Sequence, residues 1–292
     1  MKFILSLLSF FIALVGFSQS TTAFPMQESS LLWKIEGPGI QKGSYLFGTM
    51  HLIEKQYFIF PDKLEKIVKK TDKLVMELAG LPNQLEALKY VTLTEGTFAD
   101  FFTKEQMDSI LVWAKAELNM SEEAFTKTMS KMKPFVVVQM ATQIHFMGKT
   151  ESYEMSFEKI ARENDIAIAG FETIAEQMGI FDKMTKEQQT EMVMETIRDP
   201  KKGIEVTQKM QKLYQGQNVD SLYLMIQEEG GTITEDQATI LDDRNERWIP
   251  MIEEMAKKEK LFIAVGAGHL GGPKGVIRLL EQKGYTLTPV KI

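Results

Sequence analysis

Cysteine is absent from the 292-residue chain, which excludes disulfides, thiolate nucleophiles and cysteine-ligated zinc sites. Histidine is nearly as scarce, because the whole chain contains three: His51, His145 and His269. The sequence also lacks the His-Glu-x-x-His motif of zinc proteases and the Gly-x-Ser-x-Gly motif of serine hydrolases. These common catalytic schemes are therefore disfavoured.

Long apolar runs are missing except at the start of the chain. The segment "MKFILSLLSFFIALVGFS" (1–18) has one lysine, then an apolar stretch, and small residues near its end. This layout predicts a signal peptide over residues 1–18, with cleavage near Ser18. A retained anchor helix is the alternative, but the run is shorter than the roughly 20 residues that span a bilayer. Residues 19–292 are predicted to form a single domain with no membrane span.

An excess of positive charge is also missing. The formal net charge is −6, which argues against nucleic acid as a partner. The predicted export places the protein in the periplasm or outside a bacterial cell. A chain of this length can bury a sizeable core there without disulfides.

Short runs of strand-forming residues cluster at the two ends of the chain. Segments 31–37 and 44–50 are predicted to pair as strands through a Gly-Pro-Gly turn. Further strands are predicted at 73–78, 166–172, 261–268 and 285–292, and helices at 61–70 and 272–284. Strands that alternate with helices at this spacing indicate an α/β sheet.

The middle of the chain is predicted to be helical. Segments 83–162 and 185–258 lack strand alternation, and Thr-x-x-Gln or Thr-x-x-Glu sequences at 103–106, 173–176 and 185–188 resemble capping boxes. The predicted fold class is α/β (α+β), with a central mixed sheet built from both chain ends and large helical insertions. The 19 methionines are typical of core packing, with a flexible peptide-binding surface as the alternative.

Two histidines share one local pattern more than two hundred residues apart. In "LFGTMHLIE" and "AVGAGHLGG", an apolar run ends in glycine and a histidine follows three residues later, as Gly48–His51 and Gly266–His269. The carboxyl ends of strands in an α/β sheet open onto the usual ligand crevice, so both histidines are predicted to reach one crevice. The structural alternative is a turn histidine that bonds to the backbone.

The second turn also matches Gly-x-Gly-x-x-Gly, the dinucleotide-binding fingerprint. The acidic residue that this fingerprint needs about 20 positions later is absent, because the chain ends there. The glycines and proline at 271–273 are instead predicted to open the last helix, whose free amides could face an anion. His145, in "FVVVQMATQIHFM", is predicted to pack within a helix.

Charged residues occupy equivalent positions in two strands. Glu77 and Glu172 each lie at the end of an apolar strand, where burial is costly unless the carboxylate is paired or binds a metal. A solvent-facing strand end is the alternative for each. Glu154 begins a helix, where an acid ordinarily complements the helix dipole. Arg244 and Trp248 lie on one helix face, and Arg247 lies on a different one; a surface salt bridge is the alternative for Arg244.

Taken together, these motifs resemble the TraB/GumN family, which includes the Tiki metalloproteases that inactivate Wnt proteins. The likeness extends from about Leu31 to Val290. It rests on motifs in matching order: "LWKIEG", "SYLFGTMH", "DKLVMEL", "YEMSFEKIARENDIAIAGFETIAEQ", "RNERW" and "VGAGHLGG".

The resemblance implies functional roles for residues at matching positions. The family's two Gly-x-x-His motifs fall on Gly48–His51 and Gly266–His269, and its first acid falls on Glu77. Its other acids and its arginine correspond to Glu154, Glu172 and Arg244; Tiki-like members have aspartate at the position of Glu154. Tiki proteins depend on a divalent ion such as manganese or cobalt, so a similar cofactor is implied.

We therefore hypothesise that His51, His269 and Glu77 bind a divalent ion. Imidazole and carboxylate ligands without sulfur suit Mn²⁺, Co²⁺ or Zn²⁺ and do not select among them. In this hypothesis Glu172, with Glu154 as the second candidate, transfers a proton, and Arg244 stabilises an oxyanion.

The sequence thus predicts an exported metal-dependent hydrolase, a Tiki-like metalloprotease that cleaves peptide or protein substrates through water activated by the metal. The alternative is a non-catalytic protein that binds and sequesters haem, metal or peptides.

Overall fold

The computed structural model describes residues 27–80, 84–229 and 241–292. The predicted signal peptide, 1–18, lies outside these residues. The strands are β1 (Leu32–Glu36), β2 (Ser44–Thr49), β3 (Ile53–Glu54), β4 (Lys73–Leu78), β5 (Thr150–Glu151), β6 (Ala167–Glu172), β7 (Leu261–Gly266) and β8 (Thr286–Pro289). The helices are α1 (Asp62–Val68), α2 (Gln84–Val91), α3 (Lys104–Glu117), α4 (Glu122–Met129), α5 (Phe135–Ile144), α6 (Tyr153–Glu163), α7 (Ile174–Lys183), α8 (Lys186–Arg198), α9 (Pro200–Gln215), α10 (Val219–Glu229), α11 (Asp243–Lys258) and α12 (Val276–Gln282).

The main sheet has six strands in the order β6-β4-β7-β2-β1-β8. Strands β6, β4, β7 and β2 run parallel to one another, whereas β1 pairs antiparallel with both β2 and β8. The apolar run of β7 is almost completely buried, as expected for a central parallel strand covered on both faces. The predicted α/β class, with a mixed sheet from both chain ends, is confirmed.

The helical insertions begin where their sequences predict. At Thr103, Thr173 and Thr185 the threonine hydroxyl accepts a hydrogen bond from the backbone N–H three residues later. The side chain of that later Gln or Glu accepts one from the backbone N–H of the threonine. Each capping box satisfies amide groups that the first helical turn leaves open. These local signals are therefore sufficient to place three helix starts.

The buried apolar residues form two clusters. One surrounds the main sheet and includes Trp33, Phe47 and Phe262. The other lies within the helical insertions and contains residues of α3, α4, α5, α7 and α8. Several methionines are buried in these clusters, which supports core packing as their main role, although Met147 and Met155 are more than half exposed.

The last helix begins later than the sequence predicts. It starts at Val276 rather than within residues 271–273, because Gly272 has a left-handed backbone with φ of 83°. The Gly272 amide does face an anion, but that anion is internal: Gly272 N donates to Asp220 Oδ1 of α10 at 2.8 Å. The turn is therefore shaped by packing against α10.

Gly271 allows this close approach, and replacing it with alanine should destabilise the fold. An added Cβ would overlap the carbonyl oxygen of Val219 and lie 2.6 Å from its carbon. Backbone atoms cannot move aside easily, so we expect a loss of about 1–3 kcal/mol, the usual cost of overpacking. Urea unfolding measures it. Gly203→Ala is the matched control, since a Cβ there meets nothing within 4 Å and alanine favours the helix. Equal unfolding midpoints for Gly271→Ala and the wild type would contradict this packing argument.

Among the residues that the structure describes, no helix is both long enough and apolar enough to cross a membrane.

Candidate functional site

Four parallel strands bring the predicted residues to one edge of the sheet. The carboxyl ends of β2, β4, β6 and β7 point the same way, with Thr49 opposite Gly266 and Leu78 opposite Glu172. Glu77 and Glu172 lie at these ends, and His51 and His269 follow β2 and β7 within three residues, whereas Glu154 and Arg244 are supplied by α6 and α11. Residues far apart in sequence therefore meet at the crevice where ligands usually bind in such sheets.

Glu77 lies at the centre of the group. Its Oε1 atom is 3.8 Å from His51 Nε2 and 3.8 Å from His269 Nε2. The two imidazole nitrogens can therefore be no further apart than twice that distance. The same oxygen accepts a hydrogen bond from Gly266 N at 2.9 Å. The structure thus brings both histidine turns to a single carboxylate.

The two motif glycines serve different purposes. An added Cβ on Gly266 would lie 3.4 Å from Glu77 Oε1 and 3.7 Å from His51 Nε2, so the glycine leaves the space between these groups open. An added Cβ on Gly48 would lie 3.0 Å from the backbone of Ala267, so that glycine lets the turn after β7 approach β2. Only Gly266 borders the centre of the site.

Arg244, in the first turn of α11, links the two strand-end carboxylates. Its Nη2 donates to Glu77 Oε2 at 2.6 Å, and its Nε lies 3.0 Å from both oxygens of Glu172. Its Nη1 lies 3.2 Å from His269 Nε2, and its guanidinium is 5.0 Å from the centre of the Trp248 ring. The side chain is buried, so the surface salt bridge that its sequence position allows is not what forms.

Glu172 accepts hydrogen bonds from three side chains. Besides Arg244, its Oε1 accepts from Arg247 Nη2 at 3.1 Å and from Trp248 Nε1 at 3.2 Å. Its side chain is 3% exposed. Its assignment as a proton acceptor stays a prediction, but these donors already occupy its oxygens. This arrangement favours a role in holding Arg244.

Glu154 lies behind His51, on the side of the ring away from Glu77. Its Oε1 atom is 2.8 Å from His51 Nδ1 and accepts from Thr49 Oγ1 at 2.9 Å. Among the described residues, His51 Nδ1 has no hydrogen-bond partner of suitable geometry. Its short contact with Glu154 is therefore mainly electrostatic. Glu154 and Ser152, which donates to Glu154 Oε2 at 3.1 Å, belong to the start of α6.

The electrostatic environment shifts the pKa values of the two histidines in opposite directions. Burial alone would lower the pKa of His51, but the Glu154 and Glu77 carboxylates raise that pKa to about 9. Burial, reinforced by Arg244, lowers the pKa of His269 to about 3. Burial would raise the pKa of Glu77, but Arg244 and the two histidines lower it. Without a bound cation, this arrangement therefore has a charged His51, a neutral His269 and an ionised Glu77 at neutral pH.

Two contacts at the site were not predicted from the sequence. Asn245 Oδ1 lies 2.7 Å from His269 Nδ1, and Gln177 Nε2 of α7 donates to Glu77 Oε2 at 3.0 Å. Asn245 directly follows Arg244 in "RNERW", and this adjacency is the sequence feature from which its place at the site could have been predicted. Gln177 carries no comparable signal, because it is one of several polar residues in a helix.

His145 is not part of this group. It lies at the C-terminal cap of α5 with its side chain 28% exposed, and its Nε2 is 3.6 Å from Glu117 Oε2. The prediction of a histidine packed within a helix is therefore wrong in its burial. The residue occupies a helix end, where a partly exposed acid is its partner.

The donor atoms suit a divalent ion, although they do not form a closed cage. In the described ranges, no three His, Asp or Glu side chains are already arranged as a metal site. The Arg244 guanidinium, facing His269 Nε2, is one reason for this. The 3.8 Å separations are nevertheless shorter than twice a typical metal–ligand bond of about 2.0–2.2 Å, so one ion can reach each donor pair. Each histidine is therefore close enough to Glu77 for that pair to share one ion.

Comparison with known protein families finds a match over most of the chain. Searches of the curated proteins and of the solved structures found no significant match to this chain. The model of the TraB/PrgY/gumN family matches residues 31–289, a span that includes every strand of the main sheet and both histidine turns. The chain belongs to the TraB/PrgY/gumN family.

Proposed function

We propose that this protein is a metal-dependent hydrolase of peptide bonds, and that His51, His269 and Glu77 hold its ion. The observation that carries the proposal is the equal distance of 3.8 Å from Glu77 Oε1 to the Nε2 atom of each histidine. The open space beside Gly266 supports it, because this space adjoins the same atoms. Nitrogen and oxygen donors without sulfur favour Mn²⁺, Co²⁺ or Zn²⁺.

The bound ion would supply Lewis acidity, lowering the pKa of a water molecule and polarising a substrate carbonyl. The residues around it then have separate tasks. Glu77 would hold the ion through Oε1, while Arg244 and Gln177 donate to its Oε2 atom. Arg244 contacts both Glu77 and His269, so its guanidinium would stabilise negative charge that develops on the carbonyl oxygen. Glu172 keeps Arg244 in place.

Glu154 is the better placed of the two glutamates predicted to accept a proton. Its side chain is 14% exposed, against 3% for Glu172, and it lies beside His51, the more open of the two histidines of the site. The Glu154 carboxylate attracts the Nδ1 side of the His51 ring electrostatically, and Nε2 lies on the Glu77 side. Glu154 thus has access to both the imidazole and solvent.

Metal titration and peptide digestion test the proposal together. The purified protein is stripped with a chelator and titrated with Mn²⁺, Co²⁺ and Zn²⁺ by calorimetry, then incubated with a peptide library. We expect binding of at least one ion and cleavage that the chelator abolishes. His51→Ala and His269→Ala should each lose binding and cleavage, by more than the roughly 10–100-fold that follows loss of a ligand's hydrogen-bond partner. His145→Ala is the matched control, because His145 lies outside the site.

The outcomes distinguish a metal-dependent hydrolase from a protein that only binds its ligand. Cleavage that persists in chelator, or ion binding unchanged in both histidine variants, would contradict the proposed site. Ion or haem binding without any cleavage would instead support a sequestering protein.

A further inference from the structure

The two histidines of the site have different partners behind them. His51 is backed by the Glu154 carboxylate, whereas His269 is backed by the side-chain amide of Asn245. Asn245 is almost completely buried, and its Nδ2 donates to the backbone carbonyl of Lys274 at 2.9 Å. A carbonyl can only accept, so this bond fixes which end of the amide faces His269. The end that faces the imidazole is Oδ1.

The orientation of Asn245 determines the tautomer of His269. Because Asn245 Oδ1 can only accept, the proton of the neutral imidazole must lie on Nδ1. The Nε2 atom then has a lone pair. A second contact agrees: Arg244 Nη1, which can only donate, lies 3.2 Å from that same Nε2. Two independent neighbours therefore require the same tautomer.

We propose that Asn245 is a positioning residue, which holds His269 as the Nδ1–H tautomer and so keeps a lone pair on Nε2, which the ion would use in place of the Arg244 contact. The ring is also held by Trp248, whose centroid is 4.5 Å away. An amide performs this task without adding another negative charge beside Glu77 and Glu172. The binding part of this inference rests on the proposed function, whereas the tautomer does not.

The tautomer can be read directly from ¹⁵N NMR of the histidine side chains in protein stripped of metal. With three histidines in the chain, His51→Gln and His145→Gln suffice to assign the spectrum. We expect His269 to show a protonated Nδ1 and an unprotonated Nε2. Asn245→Leu removes the acceptor and should yield Nε2–H or a mixture. Asn245→Asp keeps an acceptor and should retain Nδ1–H.

Affinity for Mn²⁺ provides the second readout. Asn245→Leu should lower it about 10–100-fold, the usual effect of losing the hydrogen-bond partner of a ligating histidine. Asn245→Asp should match or exceed the wild type, although it has lost the donor to Lys274. Glu246→Gln is the control, because it removes the charge from a different contact between α11 and Lys274, at 2.9 Å, and should leave affinity unchanged.

Several results would overturn this role. One is an Nε2–H tautomer in the wild type, which decides the matter even if Asn245→Leu fails to fold. Another is an Asn245→Asp variant as weak as Asn245→Leu, which would assign the effect to the Lys274 contact. A third is unchanged Mn²⁺ affinity in Asn245→Leu. If the tautomer is as expected but the wild type binds no ion, the positioning of the ring stands and the proposed function fails.

Discussion

Replacing Arg244 with methionine is expected to destabilise the protein by about 3–5 kcal/mol, the usual cost of breaking a buried ion pair from one side. Arg244 donates to both Glu77 and Glu172, and the three side chains are 6%, 11% and 3% exposed. Methionine fills similar space but leaves two buried carboxylates without their shared cation. The cost arises from those uncompensated charges rather than from lost volume.

Urea unfolding in the presence of a chelator measures this effect without a contribution from bound metal. Arg247→Met is the matched control, since Arg247 also contacts Glu172, at 3.1 Å, but is 56% exposed. An exposed pair of this kind is worth about 0–1 kcal/mol, so the control should change little. A further test introduces Glu172→Gln into both the wild type and the Arg244→Met variant. The loss in free energy of unfolding should be smaller in the Arg244→Met background. Similar losses for the two arginine variants would contradict the central role of Arg244.

The second large effect concerns ion binding without loss of the fold, in Gly266→Ala. The backbone at Gly266 has φ of −51°, which alanine adopts readily, and the added Cβ would have no contact closer than 3.4 Å. We therefore expect the free energy of unfolding to change by less than about 1 kcal/mol. That Cβ would nevertheless enter the space beside Glu77 Oε1 and His51 Nε2. The affinity for Mn²⁺ should then fall by at least about 100-fold, the upper end of what disturbing a ligand's surroundings costs.

Calorimetric titration and urea unfolding of the same sample test both halves of this prediction. Gly179→Ala is the control for binding, because a Cβ there meets nothing within 4 Å. Gly48→Ala is the contrasting variant: its Cβ would crowd the Ala267 backbone at 3.0 Å and should affect stability instead. A Gly266→Ala protein that binds Mn²⁺ as tightly as the wild type would show that the ion does not lie beside this glycine.

The features predicted well from the sequence are those that short segments specify. The strands at 73–78 and 261–266 are apolar runs, and three threonines cap helices through bonds to residues three positions away. The edge at which His51 and His269 meet also follows from the sequence, because parallel strands carry their carboxyl ends to one side. Each of these inferences rests on a pattern within one short segment, such as an apolar run or a helix cap, or on the alternation of strands and helices along the chain.

The features that were mispredicted or missed depend on neighbours distant in the sequence. The start of the last helix was misplaced because the glycines before it are required by packing against α10, which no local pattern reveals. Gln177 and Asn245 look like ordinary helix residues, and only the packing of α7 and α11 brings them to Glu77 and His269. Arg247 leaves its helix on a different side from Arg244, yet its long side chain still reaches Glu172.

The sequence by itself determined which residue types are present for chemistry, the order of the six main-sheet strands along the chain, and the occurrence of two Gly-x-x-His turns at strand ends; it did not reveal the short strands β3 and β5. Only the tertiary structure decided the electrostatic state of each group. Arg244 lies 167 residues from Glu77 and 72 from Glu172, so their pairing is a consequence of the fold. The pKa of a carboxylate or an imidazole depends on its burial and on charges a few ångströms away. Neither quantity exists before the chain has folded, which is why two histidines in the same local motif acquire opposite shifts.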